Sequence, residues 1–406
     1  MEGSAAAAVH AASPQRSGYR LRRAAPMRTL DTSTAPPYCP AGSGQEQPLL
    51  GAIPWPTDGL NREQLARYGK ELIRQTLPFT VENRRLSWWH FYSTLLVIGL
   101  FGAAVGMPLW WPLRLACSVL LGLSLVRMFV LYHDYMHGAI LKGSRFAEVF
   151  FKTFGLLLMA PPTLWKQSHD YHHGHSCQYV GAEQNRLPLL STHTDLGTFP
   201  LLSTEEYARA GRLKRLRYRV ARHPLMILLA SFSIFIFSIC LVSLITQPRH
   251  RLWSLLALAL NLASAVALAL LAPDILLYGV LVPSLSGSAL GAYMFYCQHN
   301  FPGVRYPERA DWDYAATAVF SSSYMRTGPL MAWFTANIGY HHVHHANSGI
   351  PFYRLPEAMA AIPALQSPIT TSLHPRDIYR CLRLKLWDPA HQRMISFAEF
   401  RQQAQR

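Results

Sequence analysis

The sequence predicts an all-α integral membrane protein with about four transmembrane helices and a cytoplasmic helical cap that carries a histidine-rich site for two metals. Three observations lead to this prediction. Half of the 406 residues are hydrophobic, although the formal net charge is +16. The hydrophobic residues gather into long runs without charges, as expected of helices in a bilayer. Eleven of the 18 histidines lie in four short stretches that together span only 18 positions.

Several hydrophobic runs are close to the ~20 residues that a helix needs to cross a membrane. The four runs expected to cross are 89–106, 113–132, 252–272 and 275–296. A fifth run, 225–245, is long enough, but its crossing would put the last histidine cluster on the wrong side. The basic connector 249–251 also favours a cytoplasmic end for this run. We therefore expect 225–245 to enter the membrane without crossing. The run 146–159 is too short to span, and we expect it to lie at the interface or to re-enter the membrane.

The chain divides into four regions by composition. Residues 1–60 mix Ala, Ser, Pro, Gly and Arg without periodicity, which predicts a disordered N-terminal extension. Residues 61–88 carry apolar side chains at helical spacing among charged ones, which predicts an amphipathic helix at the membrane interface. The membrane domain is expected to comprise residues 89–390, and residues 391–406 are expected to form a C-terminal tail.

The positive charge favours a membrane rather than a nucleic acid as the partner. Basic residues flank the apolar runs, as anchors on an anionic leaflet do, and they are not interleaved with a nucleic-acid-binding motif. A basic helix is predicted at 204–219, with Lys214, Arg215, Arg217 and Arg219. This helix is expected to bind either an acidic protein partner or anionic lipid, and the sequence does not choose between them.

Three histidine clusters have the spacing of neighbours on one helix face. Positions i, i+3 and i+4 of a helix project together, so each cluster presents its imidazoles as a group. Eight imidazoles exceed the ligands of one tetrahedral ion, which predicts two metals. Imidazole suits zinc, copper, iron and nickel, so ligand type leaves the metal open. The clustered residues are His133 and His137, then His169, His172 and His173, and finally His341, His344 and His345.

Other polar residues near the clusters are candidates for support. Asp134 and Asp170 each follow a cluster histidine and are candidates to orient an imidazole by a hydrogen bond, with a solvated or capping charge as the alternative. His175 and His342 break the facing pattern, and we expect them to lie outside the metal shells, as supporting or surface residues. His299, at the end of the last run, is intermediate between ligand and satisfied core histidine.

The order and spacing of these clusters resemble the three histidine boxes of membrane fatty-acid desaturases. The stretches around His299, from Trp333 to His341 and from Ile350 to Glu357 resemble the bacterial acyl-lipid branch. The resemblance covers about residues 60–390. One position departs from the pattern, because Phe295 stands where relatives carry an asparagine ligand.

The resemblance implies oxygen-dependent desaturation of a lipid-linked fatty acyl chain. It implies two iron ions held by the eight box histidines and His299, with dioxygen as co-substrate. No His-Pro-Gly-Gly haem motif occurs in the sequence, so the electrons are expected from a separate donor such as a ferredoxin. The expected location is a bacterial inner membrane, with the histidine boxes on the cytoplasmic side.

Two alternative functions share some of these features. A di-iron membrane hydroxylase or a carotenoid ketolase uses the same boxes, although the length and the segment after the third box favour an acyl substrate. A histidine-rich metal transporter would need polar or charged residues along its spans as an ion path. The predicted spans contain almost none.

Overall fold

The computed structural model describes residues 61–179, 199–309 and 311–405. The predicted N-terminal extension 1–60 lies outside the described residues. The described chain is mostly helical, and four of its helices are long and apolar enough to cross a membrane. The predicted fold class, an all-α membrane protein with about four spans, is therefore confirmed.

The described chain begins with a surface helix and continues into two candidate membrane spans. Helix α1 (Arg62–Thr76) starts at Asn61, whose side chain accepts a hydrogen bond from the backbone of the first turn and so caps the helix. Helices α2 (Arg84–Gly106) and α3 (Trp111–His137) are the first two candidate spans. Gly138 ends α3 in a left-handed conformation, with φ of 71°, which a glycine adopts without strain.

Two shorter helices bring the second histidine box beside the first. Helix α4 (Arg145–Leu157) has 13 residues and is too short to cross, as expected for this run. The chain then turns at Ala160, whose carbonyl accepts a hydrogen bond from the Tyr132 hydroxyl of α3 at 3.1 Å. Helix α5 (Pro162–Gly174) starts at a proline, which is favoured in a first turn, and carries the second box.

The prediction of one basic helix at 204–219 is wrong in one respect, because this segment forms two helices. Helix α6 (Thr204–Arg209) is capped by Ser203, and helix α7 (Arg212–Ala221) follows after an extended break at Ala210 and Gly211. Glycine is a poor helix former, and the extended backbone at Ala210 and Gly211 ends α6 and lets α7 begin as a separate helix.

The hydrophobic run 225–245 forms α8 (Pro224–Leu228) and α9 (Ser231–Thr246). Most of α9 is wound in wide, π-helical turns. Just before the run, the Arg222 guanidinium donates to Asn300 Oδ1 at 2.6 Å. Just after it, His250 Nε2 lies 2.8 Å from Gln167 Oε1 on α5.

Asn300 follows His299, and Gln167 precedes His169, so both ends of the run lie at the end of the bundle that carries the histidines. The run consequently enters and leaves on one side. This geometry agrees with the expectation that it does not cross.

The last two candidate spans return the chain to the histidine end. They are α10 (Arg251–Leu271) and α11 (Pro273–His299). At the opposite end of the bundle, Arg114 Nη1 near the start of α3 pairs with Asp274 Oδ2 at 2.9 Å. The connection between α10 and α11 therefore lies at the end away from the histidines.

A cap of short elements covers the histidine end. Its strands β1 (Tyr324–Arg326) and β2 (Thr370–Ser372) pair in parallel, and β3 (Leu386–Asp388) pairs antiparallel with β4 (Arg393–Ile395). The sequence-based boundary at residue 390 falls inside this second hairpin. The cap helices are α12 (Tyr314–Phe320), α13 (Pro329–Phe334), α14 (His341–Ala346), α15 (Leu355–Ala361), α16 (Pro375–Arg383) and α17 (Phe397–Gln403).

Candidate metal centre

Four helices meet at the cap side of the bundle and carry the predicted ligands. The first two boxes lie in the C-terminal parts of α3 and α5, the third box begins at the first residue of the short helix α14, and His299 is the last residue of α11. The C-terminal end of a helix carries a partial negative charge from its unpaired carbonyl groups. The C-terminal ends of α3, α5 and α11 around one space favour a bound cation.

The nine predicted ligands form two groups, and within each group one ring nitrogen per residue lies within 4.8 Å of the others. The first group contains His133, His137, His169, His173 and His344, and the second contains His172, His299, His341 and His345. All nine side chains are buried or half-buried. Both groups consist of imidazoles alone.

Two helices supply ligands to both groups. On α5, the adjacent residues His172 and His173 point to different groups, and on α14 the adjacent residues His344 and His345 do the same. The rings of His173 and His345 stack with centroids 4.2 Å apart, where the two groups meet. The two groups therefore share a common wall of imidazole rings.

The facing nitrogens fit a metal better than they fit each other. In the first group, His169 Nε2 lies 3.1 Å from His137 Nε2 and 3.1 Å from His173 Nε2. In the second, His341 Nε2 lies 2.9 Å from His299 Nε2. A neutral imidazole nitrogen carries one proton or one lone pair, so one that faces two others cannot be paired with both. A cation would accept all the lone pairs at once.

Burial keeps these imidazoles in the form that binds metals. For the box histidines of α5 and α14, burial and then the neighbouring histidines hold the pKa well below its ordinary value of 6.5. The folded chain therefore presents neutral imidazoles near neutral pH, and neutral imidazole is the metal-binding species.

The two candidate supporting aspartates occupy different environments. Asp134 is fully buried; its Oδ1 lies 3.1 Å from His133 Nδ1, and its Oδ2 accepts the backbone N–H of Phe352 at 2.7 Å. A proton on His133 Nδ1 leaves Nε2 of that ring free to face the first group. Asp170 instead pairs with Lys166 at 2.8 Å on the surface, so it does not contact a histidine of either group.

The two histidines outside the facing pattern point away from the groups. His342 is buried and its Nε2 donates to the Leu365 carbonyl at 3.0 Å, and burial lowers its pKa to about 4. His175 is exposed and its Nδ1 donates to the Tyr171 carbonyl at 3.0 Å. His342 thus anchors α14 to the cap, whereas His175 lies at the surface.

Two further residues lie beside the second group. Cys177 was not predicted to lie near the site, and Phe295 is the position that departs from the resemblance. The thiol of Cys177 donates to the Ser321 carbonyl at 3.3 Å and lies 3.6 Å from His299 Nδ1. Burial raises the pKa of this thiol to about 12, so it stays protonated. The centroid of the Phe295 ring lies 5.0 Å from that of His172, so an apolar side chain stands at the position where the resemblance implied an asparagine ligand.

A buried arginine inside a span also escaped notice. Arg127 of α3 donates to Thr94 Oγ1 at 2.9 Å and to the Trp333 carbonyl, and its guanidinium stacks 4.2 Å from the Trp333 ring centroid. It therefore ties the cap segment before the third box to α2 and α3. The sequence indicates such a residue, because Arg127 is a charged side chain within the apolar run 113–132, and burying a charge there is costly unless the residue has a role.

A large apolar cavity reaches both groups of histidines. It has a volume of about 1040 Å³ and lies among α3, α9, α10 and α11, and its lining includes His133, His169 and His341. Some of its lining residues are exposed on the outer face of the bundle, among them Phe232 and Leu262. The cavity is therefore accessible from the side of the bundle that faces lipid.

Four helices long and apolar enough to span a membrane, with histidines grouped as metal ligands beside an apolar cavity, are typical of a membrane-bound metalloenzyme. The sequence model of the family described as "Fatty acid desaturase" matches residues 108–370, and the chain belongs to this family. A Bacillus subtilis (strain 168) protein described as "Fatty acid desaturase" is 29% identical over 350 residues, which cover 83% of this chain and 93% of that protein. The chain is thus an oxidoreductase that desaturates fatty acyl substrates in a membrane.

Proposed function

We propose that this chain desaturates acyl chains of membrane lipids, using two iron ions, dioxygen and electrons from a separate ferredoxin-like donor. One observation carries the proposal: the apolar cavity contacts ligands of both histidine groups, with His133 and His169 from the first and His341 from the second. A chain lying in the cavity would therefore pass both metals.

The reaction needs an oxidant because an unactivated methylene group offers no acidic proton to a base. Iron held by the nine histidines would supply oxygen activation. Removing two hydrogens from the acyl chain and reducing dioxygen to two waters consumes two more electrons and two more protons. These electrons must come from outside the chain, which is why we include a donor. The protein itself holds the chain, excludes water and keeps the imidazoles neutral.

The distribution of positive charge supports a cytoplasmic location for the histidine end in a bacterial inner membrane. Arg84 and Arg85 begin α2 at this end, and Arg249 and Arg251 lie in the connector before α10. The connectors at the opposite end, 107–110 and 272–274, carry no Lys or Arg. Positive connectors are retained on the cytoplasmic side.

Labelled reactants test the reaction. The full chain in a membrane receives a deuterated saturated acyl lipid, a reduced ferredoxin and ¹⁸O-labelled dioxygen. We expect a new double bond, loss of two deuterium atoms and ¹⁸O only in water. An ¹⁸O-labelled hydroxyl group in the lipid would instead identify a hydroxylase and refute the proposal.

Metal content tests the ligand set separately. We expect about two irons per chain in the purified protein and loss of iron in His173→Ala. His175→Ala is a matched control, because this histidine is close in sequence but exposed and outside both groups. Full iron content in His173→Ala would contradict the assignment.

A further inference from the structure

Helix α7 presents an apolar stripe to the outside of the protein. Leu213, Leu216 and Val220 are 60%, 58% and 40% exposed, and their spacing puts them on one helix face. The opposite face is anchored, because the buried Tyr218 hydroxyl donates to the Lys385 carbonyl. The helix is therefore held in place with its apolar stripe directed away from the protein.

The basic residues of α7 fall into two sets. Arg215 donates to the Ala208 carbonyl, and Arg219 donates to the Tyr207 hydroxyl at 2.6 Å, so these two hold α7 against α6. Lys214 and Arg217 make no hydrogen bond or ion pair within residues 61–179, 199–309 and 311–405. On the helix the exposed Arg217 borders the apolar stripe, and the half-buried Lys214 lies between Arg217 and the anchored face. Two cations are thus left for a partner.

The apolar stripe continues into the membrane-embedded part of the chain. Leu225 on α8, Leu229 directly after α8 and Phe232 at the start of α9 are also exposed. A helix with an apolar face flanked by Lys and Arg is typical of the membrane interface, where the apolar face enters the leaflet and the cations meet anionic headgroups. An acidic soluble protein would match the cations but not the continuous leucine surface.

The same helix borders the cavity. Val220 and Ala221 line the cavity that reaches the histidines, and Val220 is also exposed, so the cavity meets the surface at α7. Phe232 and Leu262 line the cavity further along and are exposed towards lipid. An acyl chain can therefore enter the cavity laterally from the bilayer while its headgroup stays at the level of α7.

We propose that α7 is the lipid entrance of this enzyme, and that Lys214 and Arg217 bind the phosphate of an anionic phospholipid whose acyl chain enters the cavity past Val220. The substrate class is then anionic glycerophospholipid taken directly from the leaflet. The headgroup site itself depends only on α7, whereas the statement that the bound lipid is the substrate rests on the proposed function.

Lipid retention tests the headgroup site without requiring activity. The full chain is placed in nanodiscs of phosphatidylcholine with phosphatidylglycerol, and the lipid retained after detergent extraction is measured by native mass spectrometry. The variant is K214Q/R217Q. The control is R376Q/R380Q, which removes two positive charges from the exposed face of α16, away from the cavity.

We expect K214Q/R217Q to retain phosphatidylglycerol about 30-fold less tightly, and the control to match the wild type. This factor corresponds to ~2 kcal/mol, since one basic residue near an anionic surface contributes ~1 kcal/mol and each 1.4 kcal/mol is tenfold. Unchanged retention in K214Q/R217Q, or an equal loss in the control, would overturn the proposal. If retention is unchanged and the KM for the reduced donor is raised, the proposal is overturned and α7 is identified as a binding site for a protein.

Activity distinguishes a failed headgroup site from a failed function. With phosphatidylglycerol as the acyl lipid, K214Q/R217Q should raise the KM several-fold and change kcat less, because the histidine groups are untouched. A wild-type protein that retains phosphatidylglycerol in this way but makes no double bond would leave the headgroup site standing and refute only the proposed function.

Discussion

Replacing Asp134 with asparagine tests how the first histidine group is held. The two carboxylate oxygens accept from two directions, one from His133 Nδ1 at 3.1 Å and one from the backbone N–H of Phe352 at 2.7 Å. Asparagine has nearly the same shape but only one accepting oxygen. In either orientation of the amide, one of these two contacts is lost.

The two orientations have different costs. If the amide oxygen faces Phe352, the NH2 group faces His133 Nδ1, and the imidazole proton is driven to Nε2, the nitrogen that faces the other ligands. If the oxygen faces His133, the NH2 group opposes the buried N–H of Phe352, which costs ~1–3 kcal/mol. Loss of such a supporting partner lowers metal affinity by roughly 10–100-fold, or ~1.4–2.8 kcal/mol.

Metal competition measures this effect. The purified Asp134→Asn and wild-type proteins are titrated with a chelator, and the iron retained is determined by mass spectrometry. We expect the variant to lose half of its iron at a chelator activity 10–100-fold lower. Asp170→Asn is the control and should match the wild type, because its exposed pair with Lys166 is worth at most ~1 kcal/mol. Equal iron retention in all three proteins would refute the reasoning.

Three further predictions concern the cavity, the topology and a buried lysine. Gly291→Leu should fill part of the cavity and lower kcat/KM for long acyl chains ~10-fold or more, with the iron content unchanged. Gly102→Leu is the control and should leave kcat/KM unchanged, because a side chain at Gly102 also meets open space but lies outside the cavity. Membrane-impermeant maleimide should label Arg249→Cys from the histidine side and Ala272→Cys from the other side; labelling of both from one side would contradict the fold. Burial, then a neighbouring guanidinium, lowers the pKa of Lys385 to about 7 from 10.5. Between these values the unfolded chain holds a proton that the folded chain lacks, so stability rises with pH over this window. Lys385→Met should remove this rise, seen as a smaller gain in Tm between about pH 7.5 and pH 9.5, and an unchanged gain would contradict it.

The sequence predicted which histidines gather but not how they divide. The spacing of His169, His172 and His173 puts all three on one face, and this local rule holds in the structure. The division between groups depends on where α14 and α11 meet α5, which is a matter of tertiary packing. Adjacent residues such as His172 and His173 thus serve different groups, and no local pattern distinguishes them.

The long helices were predictable because hydrophobicity and length determine them, whereas the cap was not. The strands of the cap have three residues each, which is too short for a periodic signal, and they form through tertiary contacts. The break in the basic helix at Ala210 and Gly211 was missed because periodicity continues across it. Asp134 and Asp170 look alike in sequence, and only burial separates a histidine partner from a surface ion pair.

The run α8–α9, which enters and leaves on one side, makes correct membrane insertion of this enzyme depend on positive charges outside its active site. Its hydrophobicity would let an insertion machinery treat it as a span, and then α10 and α11 would be integrated upside down. His299 and the third box would be delivered to the opposite compartment, separated by the bilayer from the boxes of α3 and α5. Arg222 before the segment and Arg249 and Arg251 after it are positive charges that favour keeping both ends on the same side. A chain without these charges could contain every ligand and every helix and still never assemble the site.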